Sequence, residues 1–423
     1  MKNTFKFYAI AALFVVFAVS CKKKSSEDIT SLPYAKESIE DGKTKLETTG
    51  QNMVAQLNTL SDSKGMNASQ SLGHYLDLSS PFSNIAQSAK VFASVKAVNS
   101  YGTSKNVNSL VHFLSTQVQD TQDTTLKQII ARHQGIYTWN GSAWDSTAAT
   151  GTIKLLFPST ETGTTNNAKL EITYASQKAP SSIPGINGDL PTLFDVALSV
   201  DNEKVLEYNF TAQYDSNGTP NNVSTFIALY PFKFEVTAKY GSSSASLQYL
   251  FTDNTTTIFD LFGQVNGNLS QNNVESAQSP DNVISNANAY IQVFNIKLAG
   301  LIDYKGLYQK ENEIYSKDEA DSLLVKEEVA AQNQYVKLVL MYADTKQKVA
   351  QAEFYAVKHV YDYGYGYSYT DYSSDIRFVF SDGSKGSLES YFSTGFSNVV
   401  ADFNTLLVKL NGKFDTNMGP VSY

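Results

Sequence analysis

The stretch AKLEITY, residues 168–174, alternates apolar and polar side chains without a break. The apolar positions are Ala168, Leu170, Ile172 and Tyr174. Successive side chains of an extended chain point to opposite faces, so these four share one face and the charged or hydroxyl side chains share the other. A period of two predicts an antiparallel β-strand with one buried face and one solvated face.

The same alternation recurs along most of the chain after Gly135. The face-sharing residues are Ile153, Leu155 and Phe157; Leu206, Tyr208, Phe210 and Ala212; Phe232, Phe234, Val236 and Ala238; and Tyr290, Gln292, Phe294, Ile296 and Leu298. Turn signals between them are Asp201-Asn202, Asn217-Gly218, Asp344-Thr345 and Asp382-Gly383. The pattern predicts β regions over 135–269 and 289–423, with 270–288, rich in Asn, Gln and Ser, as a loop or boundary.

Before Gly135 the apolar residues recur at helical spacing, which predicts a helical region over 33–134. The first stripe contains Ile39, Leu46, Met53, Leu57 and Leu60, and the second contains Ile85, Ala89, Phe92 and Val95. Shorter candidates lie at 110–114 and 126–130.

Two further helices are predicted inside the last β region. One lies near 316–334, where Ser316 and Glu319 have the spacing of a capping box. The other lies near 396–411, where an apolar stripe runs from Phe396 to Leu410 and is expected to pack on the inward face of the sheet.

These elements predict an α+β fold. A large curved antiparallel β-sheet is expected to pack against the N-terminal helices and the amphipathic C-terminal helix. The layout is similar to that of periplasmic lipoprotein carrier and receptor proteins, whose half-barrel sheets enclose a hydrophobic cavity. This resemblance implies a half-barrel-like sheet and assigns no function.

The N-terminus carries the features of an export signal. Lys2 and Lys6 precede an apolar run at 7–19, which Ser20 and Cys21 follow. This run of roughly 13 residues is shorter than the ~20 that a helix needs to span a bilayer. Residues 1–20 are therefore predicted to be a secretory signal peptide.

The stretch AVSC, residues 18–21, resembles the lipobox of bacterial lipoproteins of the Gram-negative type. The resemblance implies cleavage before Cys21 and lipidation of its thiol, with residues 21–32 as the lipidated cysteine and a flexible tether. Lys22 rather than an aspartate follows Cys21, which in such lipoproteins favours the outer membrane.

Cys21 is the only cysteine, and lipidation removes the liability of a free thiol in an oxidising compartment. An ordinary signal peptide with an incidental cysteine is the alternative, and periplasmic or surface orientation stays open. The body of the chain is not assigned to a family.

Composition and motifs narrow the classes of function. A formal net charge of −8 gives the chain no electrostatic attraction to nucleic acid. Serine-hydrolase and zinc-protease motifs are absent from the sequence, and the histidines (His74, His112, His133 and His359) stand far apart. No catalytic residue, metal site or cofactor is therefore predicted.

The sequence thus predicts a lipid-anchored outer-membrane protein, non-enzymatic, that binds a ligand or associates with the cell envelope. Its partners would be the membrane, through the anchor, and a hydrophobic, glycan or peptide ligand. The alternative is a secreted lipoprotein hydrolase that cleaves polysaccharide or envelope polymer with a carboxylate pair brought together by folding.

The segment YDYGYGYSYTDY, residues 361–372, is the most unusual candidate for a ligand contact. Its alternating tyrosines are Tyr361, Tyr363, Tyr365, Tyr367 and Tyr369. A row of exposed phenol rings would form a stacking platform for sugars or a peptide. Rings packed on the sheet edge of a bent hairpin are the interpretation that β-propensity favours.

Trp139 and Trp144 flank a four-residue NGSA turn. The pattern favours cross-strand pairing of the two indole rings. An exposed pair that holds a glycan ring is the alternative.

Overall fold

The computed structural model describes residues 29–60, 62–79, 81, 126–180, 189–365, 367–387, 397–414 and 419–420. Cys21, the lipobox, the second apolar stripe at 85–95 and the candidate helix at 110–114 lie outside these ranges.

Four helices of the described residues lie close to predicted apolar stripes, namely those that begin at Ile39, Leu126, Asp321 and Ser397. Three others, which begin at Lys64, Gln271 and Tyr304, were not predicted as separate helices. In chain order, these helices are α1 (Ile39–Leu60), α2 (Lys64–Leu78), α3 (Leu126–Arg132), α4 (Gln271–Ser276), α5 (Tyr304–Tyr315), α6 (Asp321–Tyr335) and α7 (Ser397–Phe414), with 3-10 helices at Ile29–Ser31 and Pro280–Asn282.

The strands carry most of the fold. They are β1 (Gly135–Trp139), β2 (Trp144–Thr147), β3 (Thr152–Phe157), β4 (Ala168–Lys178), β5 (Asp189–Val200), β6 (Glu203–Tyr214), β7 (Pro220–Leu229), β8 (Phe232–Gly241), β9 (Ser244–Asp253), β10 (Thr256–Gly267), β11 (Ile284–Val293), β12 (Ile296–Ile302), β13 (Val336–Tyr342), β14 (Lys348–Asp362), β15 (Ser368–Phe380) and β16 (Lys385–Gly386).

The strands form a mixed sheet in the order β16-β15-β14-β13-β12-β11-β10-β9-β8-β7-β6-β5-β4-β3-β1-β2. The α+β class with a dominant sheet is confirmed. The sheet is not antiparallel throughout, because β1 and β3 run parallel, with Gly135 opposite Ile153. The chain reverses once between β1 and β2 and again before β3, and two reversals restore the original direction.

The chain divides into two compact units. We call residues 51–235 and 398–423 the tryptophan unit, and residues 1–50 and 236–397 the tyrosine unit. The division between residues 235 and 236 falls inside β8. The stretch 270–288, which the sequence predicts as a loop or boundary, contains α4, a 3-10 helix and the start of β11.

The tryptophan unit has its core on one face of β3 and β4. Burial alternates along β3, and Leu155 and Phe157 are fully buried. Leu170 and Ile172 of the AKLEITY stretch are buried in the same cluster, which α2 covers with Ala68, Leu72 and Tyr75. Each buried leucine, isoleucine or phenylalanine of this cluster stabilises the fold by about 1.5–3 kcal/mol relative to exposure.

Polar contacts hold the helices of the tryptophan unit. Ser71 Oγ donates to the carbonyl of Pro158 at 2.8 Å, which joins α2 to the end of β3. In α7, Leu407 is buried and Val408 exposed, as an amphipathic stripe predicts. Lys409 Nζ donates to the carbonyl of Asn58 at 3.1 Å.

In the tyrosine unit, one predicted strand is two. The alternation from Tyr290 to Leu298 continues through a hairpin, since Val293 pairs with Ile296 across a turn at Phe294 and Asn295. Phe294 has φ of 51°, the left-handed region that a phenylalanine rarely adopts. The prediction of a single strand was therefore wrong. The alternation of apolar residues continues through the turn, and the turn contains no glycine that would mark it in the sequence.

The predicted capping box at Ser316 is also wrong. Ser316 is the C-cap of α5, where its amide donates to the carbonyl of Asn312 at 3.1 Å. Helix α6 begins only at Asp321, after Ala320, and has no side-chain cap. Helix α5 was missed, although Asp303 supplies an N-cap signal by accepting a hydrogen bond from the amide of Gly306 at 3.0 Å.

Candidate functional site

The tyrosine-rich segment forms the tip of the hairpin between β14 and β15. The two strands pair from Ala350 with Phe380 to Asp362 with Ser368. The pairs between β13 and β14 end at Gln351, so the hairpin extends well past them. We call Tyr361, Tyr363, Tyr365, Tyr367 and Tyr369 with their backbone the tyrosine hairpin.

Local backbone contacts make the turn. The amide of Tyr363 donates to the carbonyl of Tyr367 at 3.0 Å. Gly364 and Tyr365 both have positive φ, 76° and 56°, which a tight hairpin turn requires. Asp362 Oδ1 accepts from the amide of Gly364 at 2.8 Å and supports the turn.

All five phenol side chains are exposed to solvent. The exposed fractions are 45% for Tyr361, 71% for Tyr363, 76% for Tyr367 and 52% for Tyr369, and Tyr365 is exposed completely. Packing on the sheet edge, the interpretation that β-propensity favoured, would bury these rings. The segment is indeed a hairpin, but its rings stay accessible.

Part of the hairpin forms an ordered row of rings. Tyr361 and Tyr369 are directly opposite in the pairing, and their ring centroids lie 6.3 Å apart at an interplanar angle of 25°. His359 continues the row on the Tyr361 side, also at 6.3 Å. His359 Nε2 lies 2.9 Å from Ser373 Oγ, a hydrogen bond that holds the imidazole.

The N-terminal segment reaches the opposite end of β14. The amide of Lys348 donates to the carbonyl of Pro33 at 2.8 Å, and the carbonyl of Lys348 accepts from the amide of Ala35 at 2.7 Å. From Lys348 to Asp362 an extended strand spans up to about 46 Å at ~3.3 Å per residue. The tyrosine hairpin is therefore remote, along this strand, from the point where the chain enters the unit.

Of the tryptophan pair, Trp139 lies in the core of its unit and Trp144 packs against that core. Trp139 and Trp144 are cross-strand partners, with ring centroids 5.6 Å apart in an edge-to-face arrangement at 68°. Trp139 is buried and contacts the ring of Tyr75 at 4.9 Å. Trp144 Nε1 donates to the carbonyl of Ser79 at 2.8 Å. These contacts use the indole rings for packing, as the cross-strand interpretation expects, and leave the buried Trp139 no face for a glycan.

A pair of carboxylates is brought together by α5 and α6. Burial, together with the charge of Glu328, raises the pKa of Glu311 to about 7. Burial also raises the pKa of Glu328, whose oxygens accept from Tyr315 OH at 2.9 Å and from Gln332 Nε2 at 3.0 Å. Within the described part of the chain, Glu311 Oε1 is buried and has no hydrogen-bond partner. The sequence carried no signal for this pair, since the two residues lie on different helices.

A cleft of about 660 Å³ lies where β11 begins, β12 ends and α5 begins. Its lining is Ser285, Asn286, Ala287, Asn288, Leu301, Ile302, Asp303, Lys305, Gly306 and Gln309. Neither Glu311 nor Glu328 lines it. The cleft was not anticipated, because its amide side chains come from segments that have no shared sequence pattern.

No group of three or more His, Cys, Asp or Glu side chains among the described residues is arranged to hold a metal ion. In the same part of the chain, no helix combines the length and the apolar character that a membrane span requires. Comparison with known proteins finds no matching family model, no matching curated protein and no matching solved structure.

Proposed function

We propose that this chain is a lipid-anchored protein of the outer membrane that binds a glycan or a peptide through the tyrosine hairpin. The observation that carries the proposal is the exposure of all five phenol rings at one hairpin tip. Burying one large apolar side chain is worth about 1.5–3 kcal/mol, so a row of solvated rings forgoes stability that packing would supply. A partner that covers the rings would recover it.

The residue types of the hairpin favour a ligand with both polar and apolar surface. A tyrosine ring offers an apolar face and a hydroxyl, and few of its torsions are lost on binding. The turn between the rings contains Gly364, which has no side chain to cover them. Asp362 and Ser368 add polar groups beside the rings.

The anchor and the hairpin are compatible in position within the tyrosine unit. The proposed tether at 21–32 leads to the Lys348 end of β14, and the hairpin occupies the other end. A protein tethered at Cys21 would hold the rings towards a ligand outside the anchoring bilayer. This arrangement favours a glycan or peptide over the lipids of that bilayer.

The cleft also favours a polar ligand over the hydrophobic one. Six of its ten lining residues carry a carboxamide, a hydroxyl or a charged group. A hydrophobic ligand would need an apolar cavity inside a curved sheet. The half-barrel-like curvature of this sheet stays a prediction.

The hydrolase alternative depends on Glu311 and Glu328. A raised pKa is what a general acid requires. However, Glu328 is buried between helices and already accepts two hydrogen bonds, and neither carboxylate lines the cleft. A polymer would have to reach this pair through α5 and α6, which favours a structural role for the pair and a binding role for the protein.

Affinity electrophoresis of the full chain tests the hairpin, in gels that contain a soluble β-glucan, a xylan or a mucin. We expect retarded migration in at least one gel and loss of the retardation when Tyr363, Tyr365 and Tyr367 are all changed to alanine. Because these side chains are exposed, the free energy of unfolding should change by less than about 0.5 kcal/mol.

The matched control changes the same three residues to phenylalanine, which keeps the rings and removes the hydroxyls. Retardation that survives in this variant identifies ring stacking as the main contact. Wild-type migration that is unaffected in all three gels would contradict a glycan ligand, and equal retardation of the triple-alanine variant would contradict the role of the hairpin.

A further inference from the structure

The cleft at the start of α5 has the donor and acceptor groups that a sugar requires. Three carboxamides line it, from Asn286, Asn288 and Gln309. Each carboxamide both donates and accepts hydrogen bonds, as each hydroxyl of a sugar does. The volume of about 660 Å³ falls within the range of small-molecule sites.

Two of the lining side chains are held in position by contacts behind them. Asn286 Oδ1 accepts from Asn266 Nδ2 at 2.9 Å, which leaves the Asn286 amide nitrogen to donate. Asp303 is held by its N-cap hydrogen bond from the amide of Gly306. Side chains that are already ordered lose less conformational entropy when a ligand binds.

The apolar part of the lining and the charges narrow the ligand class further. Ala287 and Ile302, which are opposite each other in the pairing of β11 and β12, supply apolar groups suited to the C–H face of a sugar ring. Asp303 and Lys305 contribute one charge of each sign, so the cleft has no net charge to select an anion or a cation.

The cleft lies at the same end of its strands as the tyrosine hairpin. Ala287 near the start of β11 pairs with Ile302 at the end of β12, and Ile302 pairs with Val336 at the start of β13. The Lys348 end of β14, where the N-terminal segment enters, pairs with Met341 near the other end of β13. Both candidate contacts are thus remote from that entry point along their strands.

We propose that this cleft binds a neutral mono- or oligosaccharide, with Asn286, Asp303 and Gln309 as its hydrogen-bonding groups. The proposal stands on the cleft and requires neither the lipid anchor nor the tyrosine hairpin.

Titration calorimetry of the full chain with cellotriose, maltotriose and N,N′-diacetylchitobiose tests the proposal. We expect at least one of them to bind with a Kd in the millimolar range or tighter. Asn286→Ala and Gln309→Ala should each weaken that binding about fivefold or more, since each removes hydrogen bonds to the sugar. Gln309 is an exposed helix position, so alanine there preserves the fold.

Asn312→Ala is the matched control, because Asn312 is an exposed carboxamide on the same helix outside the cleft. It should leave the saccharide affinity unchanged. The triple-alanine variant of the tyrosine hairpin should also keep this affinity, which separates a failure of the cleft proposal from a failure of the hairpin proposal.

Three results would overturn the saccharide site. The first is no binding of any of the three sugars at about 50 mM, far above the Kd of a specific site. The second is unchanged affinity in both Asn286→Ala and Gln309→Ala. The third is binding of triglycine in place of the sugars, which would assign the cleft to peptides.

Discussion

At the scale of single residues, the environment of Glu311 conflicts with the chemistry of its side chain. A carboxylate prefers water or a cation, yet Glu311 is partly buried beside Glu328 and one of its oxygens has no partner among the described residues. The raised pKa of about 7 keeps Glu311 mostly protonated, and therefore uncharged, below neutral pH. Tyr315 and Gln332 satisfy Glu328 instead.

Glu311→Gln should therefore change the pH dependence of stability. The folded pKa of about 7 lies above the ordinary value of 4.5, so the folded state binds more protons and the wild type loses stability as pH rises from about 4.5 through 7. Glutamine cannot ionise, and we expect the variant to be more stable than wild type by about 2 kcal/mol at pH 8 and no more stable near pH 4.5. Urea unfolding at both pH values measures this.

Glu313→Gln is the control for that experiment, since Glu313 is an exposed carboxylate on the same helix and pairs with Lys310 at 2.7 Å. This ion pair lowers the pKa of Glu313, so its replacement should bring no gain at pH 8. An equal effect of Glu311→Gln at both pH values would show that Glu311 ionises normally in the folded protein.

At the scale of elements, the segment from Asp303 to Tyr335 shows how local signals compete. Ser316 and Glu319 have the spacing of a capping box, but Ser316 ends α5 and its Oγ donates to the carbonyl of Glu313 at 2.8 Å. The N-cap that does form is Asp303. Local spacing alone could not decide between a helix start and a helix end, because serine suits both.

Asp303→Ala should lower the free energy of unfolding by about 1 kcal/mol, the usual cost of losing an N-cap. Ser316→Ala and Glu319→Ala should each cost less than about 0.5 kcal/mol, since both side chains are exposed and no capping box forms. Chemical denaturation of the three variants measures these losses in the free energy of unfolding and shows which is largest. A larger loss for Ser316→Ala than for Asp303→Ala would contradict the assigned cap.

At the scale of the whole molecule, the proposed function joins an N-terminal anchor to a remote binding end. The lipobox-like stretch supports the proposed anchor. The tyrosine hairpin and the cleft support the proposed binding end. Both binding candidates lie in the tyrosine unit, at strand ends remote from the point where residues 33–35 meet Lys348. The tryptophan unit uses its indole rings for packing and has a core of its own.

Metabolic labelling of cells with radioactive palmitate tests the anchor. We expect incorporation into the wild-type chain and recovery of that chain with the outer membrane. Cys21→Ser should abolish both, because lipidation requires the thiol and acyl chains contribute about 0.8 kcal/mol of membrane affinity per buried methylene. Wild-type levels of palmitate in Cys21→Ser, or full-length wild-type protein in the medium with an unmodified thiol, would disprove the anchor.

The sequence by itself determined where most strands lie and where four of the described helices lie, since periodicity is a local property of the chain. The export signal, read from the N-terminal pattern, stays a prediction. The sequence also favoured the pairing of Trp139 with Trp144, which depends on one short turn. The tertiary structure decided that the tyrosine rings stay exposed, that Glu311 meets Glu328 and that Asn286 and Gln309 line one cleft. These facts depend on contacts between distant segments, and a local pattern holds no information about which surfaces such contacts cover.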